Sequence, residues 1–305
     1  MGTLIKPILV EWQASHYIFY LVALAVLVIG GFYLLFKGGD WLTDGASGLA
    51  KALGASPMFI GLTVVSMATS APELFTCLTA ATKGNSGLVI GNLVGSNLAN
   101  IGLVLGFVLL IKPLKSAEPL PSWQMPFLII STLAFSIFCL HPIENPTFSR
   151  VDGGISLALM LFFLSRLTRD AKRKLASKKE SQSSNKRKTG ARKLTKFLLQ
   201  MTHVSNSEET SAGKWAGILI IAGFMLWAGS EILVEGSIGL AREAGLSEAL
   251  IGLTLIAIGT SLPELAASYR LVLRDEHDIL LGNIVGSNVF NILLVGGATA
   301  AALPF

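Results

Sequence analysis

Charged side chains are what this sequence has least of. Only 14% of its 305 residues are Asp, Glu, Lys or Arg, whereas 52% are hydrophobic and the mean hydropathy is +0.63. Soluble domains carry about 25% charged residues, so a soluble globular protein is excluded and the chain reads as an integral membrane protein. Histidine and cysteine are scarcer still, at four and two. No Ser-His, Cys-His or His-rich set lies inside an apolar run, which excludes the nucleophile–base pair or open metal position that an intramembrane enzyme needs. The chain is therefore read as a non-enzyme without an organic cofactor. Cys77 and Cys139 fall in or beside apolar runs and read as buried free thiols. Positive charge, by contrast, is concentrated. Fourteen of the 24 Lys and Arg lie between Arg166 and Lys214, which is a loop property and gives no sign of nucleic acid as a partner.

What is present is a series of apolar runs. After a polar, partly aromatic leader, residues 18–36 are long enough to cross a ~30 Å hydrocarbon core. No Ala-x-Ala site follows closely, so this run reads as a retained helix and not a signal peptide. Further spans are expected at 41–82, interrupted at 68–72, and at 88–111, 125–140 and 151–167. Residues 168–213 are rich in Lys, Arg and Ser and read as a basic, disordered linker. Spans at 215–234, 249–273 and 279–303 complete an all-α polytopic membrane protein of about eight spans. The basic residues set the orientation. With the linker in the cytoplasm, Lys37, Lys51, Lys112, Lys115, Arg270 and Arg274 are also inside, and Lys6, Lys83, Arg150 and Arg242 are outside. The N-terminus is then extracytoplasmic, and the long basic loop cytoplasmic.

Shifting the chain by 191 positions superposes it on itself. GLTVVSMATSAPEL (61–74) falls on GLTLIAIGTSLPEL (252–265), and GNLVGSNLANIGLVLG (91–106) on GNIVGSNVFNILLVGG (282–297), without a gap. Upstream, Asp40 falls on Glu231, Asp44 on Glu235, Gly45 on Gly236 and Gly54 on Gly245. An odd number of spans, five, separates corresponding points, so the two copies face opposite ways. Inverted repeats with broken helices are the architecture of many secondary transporters. The first repeat is taken as 17–167 with its motif at about 61–106. The second is taken as 214–305 with its motif at about 252–297, cut short at its C-terminal end.

The paired motifs carry the chemistry. Thr69-Ser70-Ala71-Pro72-Glu73 and Thr260-Ser261-Leu262-Pro263-Glu264 each set an acid and a proline inside an apolar run. A carboxylate at bilayer depth costs roughly 2.5–3.5 kcal/mol or more unless it lines a cavity or finds a partner. The proline interrupts the helix and frees backbone carbonyls. Glu73 and Glu264 would face one another across the pseudo-axis, repelling unless a cation or proton sits between them. Thr69, Ser70, Thr260 and Ser261 add hydroxyls. Ser96 with Asn100, and Ser287 with Asn291, are four apart on one helical face, and Asn92 and Asn283 lie on roughly that side. Interhelical hydrogen bonding is the simpler role for Asn97 and Asn288, and it is an equal contender for Asn92 and Asn283. The glycines Gly91, Gly95, Gly282 and Gly286 form small-xxx-small patterns for close helix packing. Such an all-oxygen cage with two carboxylates suits a hard divalent ion of calcium's size. Emptied, it holds two charges that sodium ions or protons could neutralise, a sufficient basis for antiport. Asp40, Asp44, Glu231 and Glu235 read as solvated span ends, and Asp275-Glu276-His277-Asp278 as a polar turn.

At these residues the sequence resembles the cation/calcium antiporter superfamily, whose signature is two inverted repeats reading G-T-S-x-P-E and G-N-x-x-G-S-N, and within it the prokaryotic sodium/calcium exchanger-like branch. The resemblance implies that Glu73 and Glu264 are the principal Ca²⁺ ligands. It further implies that Thr69, Ser70, Ser96, Asn100, Thr260, Ser261, Ser287 and Asn291 share the Ca²⁺ and Na⁺ sites, with backbone oxygens near Ser66 and Ala257. Its expected function is Ca²⁺/Na⁺ exchange by alternating access in the plasma membrane, a prokaryotic inner membrane, with lipid and the transported cations as partners. In that scheme the first and sixth spans slide over a fixed core. Three departures stand out. Ala68 replaces the glycine before Thr69. Position 291 is Asn where some relatives carry Asp, which leaves H⁺ or K⁺ coupling as the alternative. The family generally has ten spans, so an incomplete, transport-inactive member is the other alternative.

Overall fold

The computed structural model describes residues 17–117, 120–140, 147–188, 212–246 and 259–305, and is helical throughout these segments. Helix α1 is Tyr17–Leu53. Helix α2 comprises Pro57–Ile60, a π-helical segment Gly61–Val65 and Ser66–Thr69. Helix α3 is Ala71–Thr82, and α4 runs Ser86–Ile111 with a π-helical segment Asn100–Leu105. Helices α5 (Gln124–Leu140), α6 (Arg150–Lys188), α7 (Ala212–Glu243) and α8 (Leu262–Leu273) follow. Helix α9, His277–Ala302, has its own π-helical segment at Phe290–Gly296. Six of these stretches are long and apolar enough to cross a membrane, and α5 is a shorter apolar helix.

Three boundaries differ from the sequence expectation, one of them that of α7, which runs past residue 234 to Glu243. The second span does not begin at residue 41, because α1 continues unbroken through Trp41 to Leu53. Asp40 and Asp44 look like water-facing residues that end a span, yet they lie along the helix and pair with α8. Arg270 Nε donates to Asp40 at 2.7 Å, and Arg274 reaches Asp40 at 2.9 Å and also binds Asp44. Asp40 is thus mostly covered and not on a solvated face. What stops α1 is Gly54 at φ +61°, matched by Gly245 at φ +78° after α7. Only glycine enters that region without strain. Ser56 then caps the next helix at Phe59 N, and Pro57 starts it. The third difference is α6, which runs past residue 168, through part of the expected linker, to Lys188. No Gly or Pro occurs between Ile155 and Thr189, and Ala, Lys and Arg are good helix formers. Residues 189–211 of that linker lie outside the described residues.

Lipid is as apolar as leucine, so helices in a membrane associate by close packing more than by the hydrophobic effect. The first and seventh helices do so through glycine. A Cβ on Gly31 would lie 2.6 Å from Leu233 Cβ, one on Gly38 3.0 Å from Leu226 Cγ, and one on Gly45 2.9 Å from Leu219 Cγ. From α7, Gly229 and Gly236 return the contact onto Gly31 O and Leu24 O at 3.0 Å. The pairings run in opposite senses, so α1 and α7 are antiparallel. Of the four glycines expected in close packing, Gly282 and Gly286 are so packed, whereas Gly91 and Gly95 have nothing described within 4 Å of an added Cβ. A Cβ on Gly282 would stand 2.6 Å from Met58 O, and one on Gly286 2.9 Å from Leu62 O. Helix α9 is thereby pressed against α2 and is the most enclosed span, 89% buried against 22% for its repeat mate α4. It joins both hydrophobic clusters. One gathers α5, α6 and parts of α3 and α4 around Phe148, Phe163 and Leu293; the other gathers α1, α2, α7 and α8 around Leu42, Leu226 and Leu280.

Lys112 and Lys115, expected on the same side of the membrane as Arg270 and Arg274, meet the turn that follows α8. Ser47 donates to Glu276 at 2.7 Å, Lys112 pairs with Asp275, and Lys115 N donates to His277 Nδ1 at 3.0 Å. Residues 275–278 are the polar turn between α8 and α9, with Asp278 accepting from Ala117 N at 3.0 Å. The hydrogen bond from Lys112, and then that from His277, holds the Asp275 carboxyl below the usual carboxylate range. Cys77 and Cys139 are free thiols, buried and half-buried respectively.

Candidate cation-binding site

The chain breaks at two corresponding serines. Ser70 stands at φ −85°, ψ 0° and opens α3; Ser261 stands at φ −93°, ψ 3° and opens α8. Pro72 and Pro263 follow in the first turn, where a missing N–H breaks no helical bond. Glu73 and Glu264 come next, in the turn whose free N–H groups and dipole favour a negative charge. Neither serine hydroxyl caps its helix. Matching sequence has produced matching backbone in both repeats.

Both acids are enclosed, Glu73 at 0% and Glu264 at 1% exposure. Among the described residues none of their four carboxylate oxygens has a hydrogen-bond partner, and no Lys or Arg is among the buried side chains. The two groups lie near enough to act on one another electrostatically, and Thr69 of the first repeat lies beside Glu264 of the second. Burying a carboxylate without partner or counter-ion is among the costliest arrangements a protein can hold. Further buried oxygens without a hydrogen-bond partner among the described residues include Ser70 Oγ, Ser96 Oγ, Ser261 Oγ, Asn100 Oδ1 and Asn291 Oδ1, each on a side chain at most 2% exposed.

The remaining helices cross-brace this space. Helix α3, carrying Glu73, packs on the π-helical segment Phe290–Gly296 that holds Asn291. Symmetrically, α8, carrying Glu264, packs on the segment Asn100–Leu105. A π turn adds a residue to the helical register and recurs at functional sites; here it opens at or beside the asparagine in both repeats. Asn100 Nδ2 donates to Ser287 Oγ at 3.1 Å, and Ser287 Oγ to Ile284 O at 3.3 Å. Asn291 Nδ2 donates to Asn97 Oδ1 at 3.2 Å. Ser66 Oγ donates to Gly61 O at 2.7 Å and Asn283 O at 3.2 Å, and Thr69 Oγ1 to Asn283 Oδ1 at 3.3 Å.

The structure therefore links Glu73 to Glu264, Glu264 to Thr69, Asn100 to Ser287 and Asn291 to Asn97, with Ser70, Ser261, Ser96 and Ser66 also buried. Thr260 is half-buried at the second break. The Ser66 carbonyl is occupied by Ser70 N at 3.0 Å, so its oxygen is already engaged within the helix. Ala257 lies outside the described residues. Asn92 takes the structural role, donating to Cys77 Sγ at 3.3 Å, as does Asn97, donating to Asn288 O at 3.1 Å. Asn283, the repeat mate of Asn92, is different: fully buried, it ties Ser66 and Thr69 of one repeat to α9 of the other. The only sign of this in sequence is the amide repeated in the two G-N steps. Among the described residues no group of three or more His, Cys, Asp and Glu could hold a metal.

Residues 23–169 and 214–304 match the family described as sodium/calcium exchanger protein. Among curated proteins, the CaxA protein of Alkalimonas amylolytica is 37% identical over 279 residues, covering 92% of this chain and 81% of that one. The sodium/calcium exchanger MaX1 of Methanosarcina acetivorans is 32% identical over 303 residues, covering 92% and 83%. Among solved structures, the sodium/calcium exchanger from Methanococcus jannaschii superposes with a TM-score of 0.70 at 28% identity, covering 92% of this chain and 81% of that one.

Proposed function

Because the chain belongs to the sodium/calcium exchanger family, in its prokaryotic branch, we propose that it exchanges Ca²⁺ for Na⁺ across the plasma membrane, with Ca²⁺ held between Glu73 and Glu264. The observation that carries this reading is the set of four carboxyl oxygens, buried and, among the described residues, without a hydrogen-bond partner or a buried cationic side chain. A divalent ion offsets both charges at once. Its ligands are the carboxylates, the hydroxyls of Thr69, Ser70, Ser96, Thr260, Ser261 and Ser287, and the amide oxygens of Asn100 and Asn291. Hard oxygen donors in a flexible arrangement are what Ca²⁺ accepts at 2.3–2.6 Å. When Ca²⁺ leaves, sodium ions take over the two charges. The empty, doubly charged cage is the costly state in a dry site, so release of one ion is tied to entry of the other.

In this scheme α1 and α7 move as one antiparallel unit over α2, α3, α4, α8 and α9, exposing the cage first to one side and then to the other. The test is ⁴⁵Ca²⁺ uptake into sodium-loaded vesicles containing the protein. Uptake is expected to need an outward Na⁺ gradient and to collapse when K⁺ or choline replaces internal Na⁺. Equal uptake without the gradient would end the proposal of sodium coupling.

A further inference from the structure

An amide side chain has a donor end and an acceptor end, and only the acceptor end can ligate a cation. The cage contains two such groups, at 100 and 291, so something must decide which end each presents. Hydrogen bonds to backbone carbonyls settle this, because a carbonyl only accepts. Asn97 faces Asn288 O at 3.1 Å, so the end of Asn97 turned to that carbonyl is its Nδ2. Its Oδ1 is then the end that meets Asn291, 3.2 Å away, and Asn291 must present Nδ2 to it. The Asn291 oxygen is left as the free, buried end. For Asn100 the anchor is Ile284 O. Ser287 donates to it at 3.3 Å, so the Ser287 hydroxyl is an acceptor for Asn100 Nδ2 and the Asn100 oxygen is left free.

Resting on the cation site proposed above, we infer that Asn97 is a positioning residue that holds the Asn291 amide with its oxygen, not its nitrogen, toward the ion. Without that bond the Asn291 amide turns over and its N–H groups satisfy the unpaired carboxylates. A group that should ligate the cation then competes with it. The device matters because position 291 is an amide. A carboxylate there would present oxygen either way and would need no orienting neighbour. Asn97 itself touches no ion. Its half-exposed place on α4 made it a plain interhelical contact, and that contact is how it acts.

The test is a cycle of four proteins in the vesicle assay, reading the half-saturation constant for ⁴⁵Ca²⁺. Asn97→Leu keeps the branched shape and removes both polar atoms. In the wild-type background it is expected to raise the constant about tenfold, the worth of one oriented hydrogen bond, with the maximal rate held within about twofold. In the Asn291→Asp background the same substitution is expected to cost less than about twofold, since interacting groups fail additivity only when both are present. A residue that merely packs would cost the same in both backgrounds, and that outcome overturns the inference. So does an Asn97→Leu protein with the wild-type constant. Where the leucine variant does not reach the membrane, Asn97→Ala is read by the same criteria. Glu73→Gln accompanies the cycle: wild-type flux there would remove the cation site itself, whereas loss of flux there with equal costs in the cycle would remove only the role of Asn97.

Discussion

Replacing one carboxylate oxygen of Glu73 by nitrogen leaves shape and packing alone and removes a charge. That makes Glu73→Gln and Glu264→Gln the sharpest substitutions for the cage. Breaking a buried charge pairing costs about 3 kcal/mol or more, roughly a hundredfold in Ca²⁺ affinity, so exchange is expected to fall to background in either variant. The fold should respond in the opposite sense. Each glutamine replaces one of two buried carboxyl groups that have no hydrogen-bond partner among the described residues, so in calcium-free buffer the variants should melt no lower than the wild type. The rise in Tm that Ca²⁺ gives the wild type by mass action should be lost. A melting scan with and without Ca²⁺ checks both, and a retained calcium shift would mean that the ligands are elsewhere. At this scale sequence reaches far. Acid, proline and hydroxyl recurring 191 residues apart pick out the candidate cage, because two such acids at membrane depth are costly unless they find a partner. The orienting role of Asn97 was not legible, since it depends on which of two nearly identical atoms faces a backbone carbonyl.

Elements are defined by their neighbours, and the glycines of α1 separate the two kinds of neighbour cleanly. Gly31 lies against α7, with an added Cβ 2.6 Å from Leu233 Cβ and 2.7 Å from its backbone nitrogen; Gly30, one residue earlier, has nothing described within 4 Å. Overpacking against backbone costs about 1–3 kcal/mol, whereas an exposed helical Gly→Ala gains up to about 1 kcal/mol. Gly31→Ala is therefore expected to lower Tm and slow exchange, and Gly30→Ala to leave both unchanged or raise Tm slightly. Equal Tm values for the two variants would show that α1 and α7 do not pack through this seam. The same helix shows why element boundaries were harder to read than the repeat. An apolar run marks where a helix touches lipid, at about 18–36, and says nothing of the turns beyond. The extension through Leu53 is apparent only once Asp40 and Asp44 are seen paired with Arg270 and Arg274. At α6 the reverse holds: composition changes at 168, but helix propensity does not.

The whole molecule is two inverted repeats that are not equal. At one end α1 is clasped to α8 by Asp40 and Asp44 with Arg270 and Arg274. The corresponding positions at the other end are Glu231 and Glu235 on α7, Thr79 on α3 and Lys83 just after it. Threonine cannot replace an arginine, so the positions that correspond to the two arginines supply one cation, Lys83. If α1 and α7 move together over the core, the arginine end costs more to open, and the clasp must part in every cycle. Gly39 gives a direct handle on that movement. A Cβ there would lie 3.4 Å from Arg270 Cβ, near the lower edge of the roughly 3.5–4.5 Å that a disulfide spans. The pair Gly39→Cys and Arg270→Cys should therefore cross-link under mild oxidation, with each single cysteine as control because Arg270→Cys also removes part of the clasp. Cross-linked vesicles are expected to lose at least about nine-tenths of their sodium-dependent ⁴⁵Ca²⁺ uptake, the scale of one blocked conformational step, and to regain it on reduction. Full exchange in quantitatively cross-linked protein would show that ions reach both sides without α1 leaving α8, and the sliding unit would have to be sought elsewhere in the bundle.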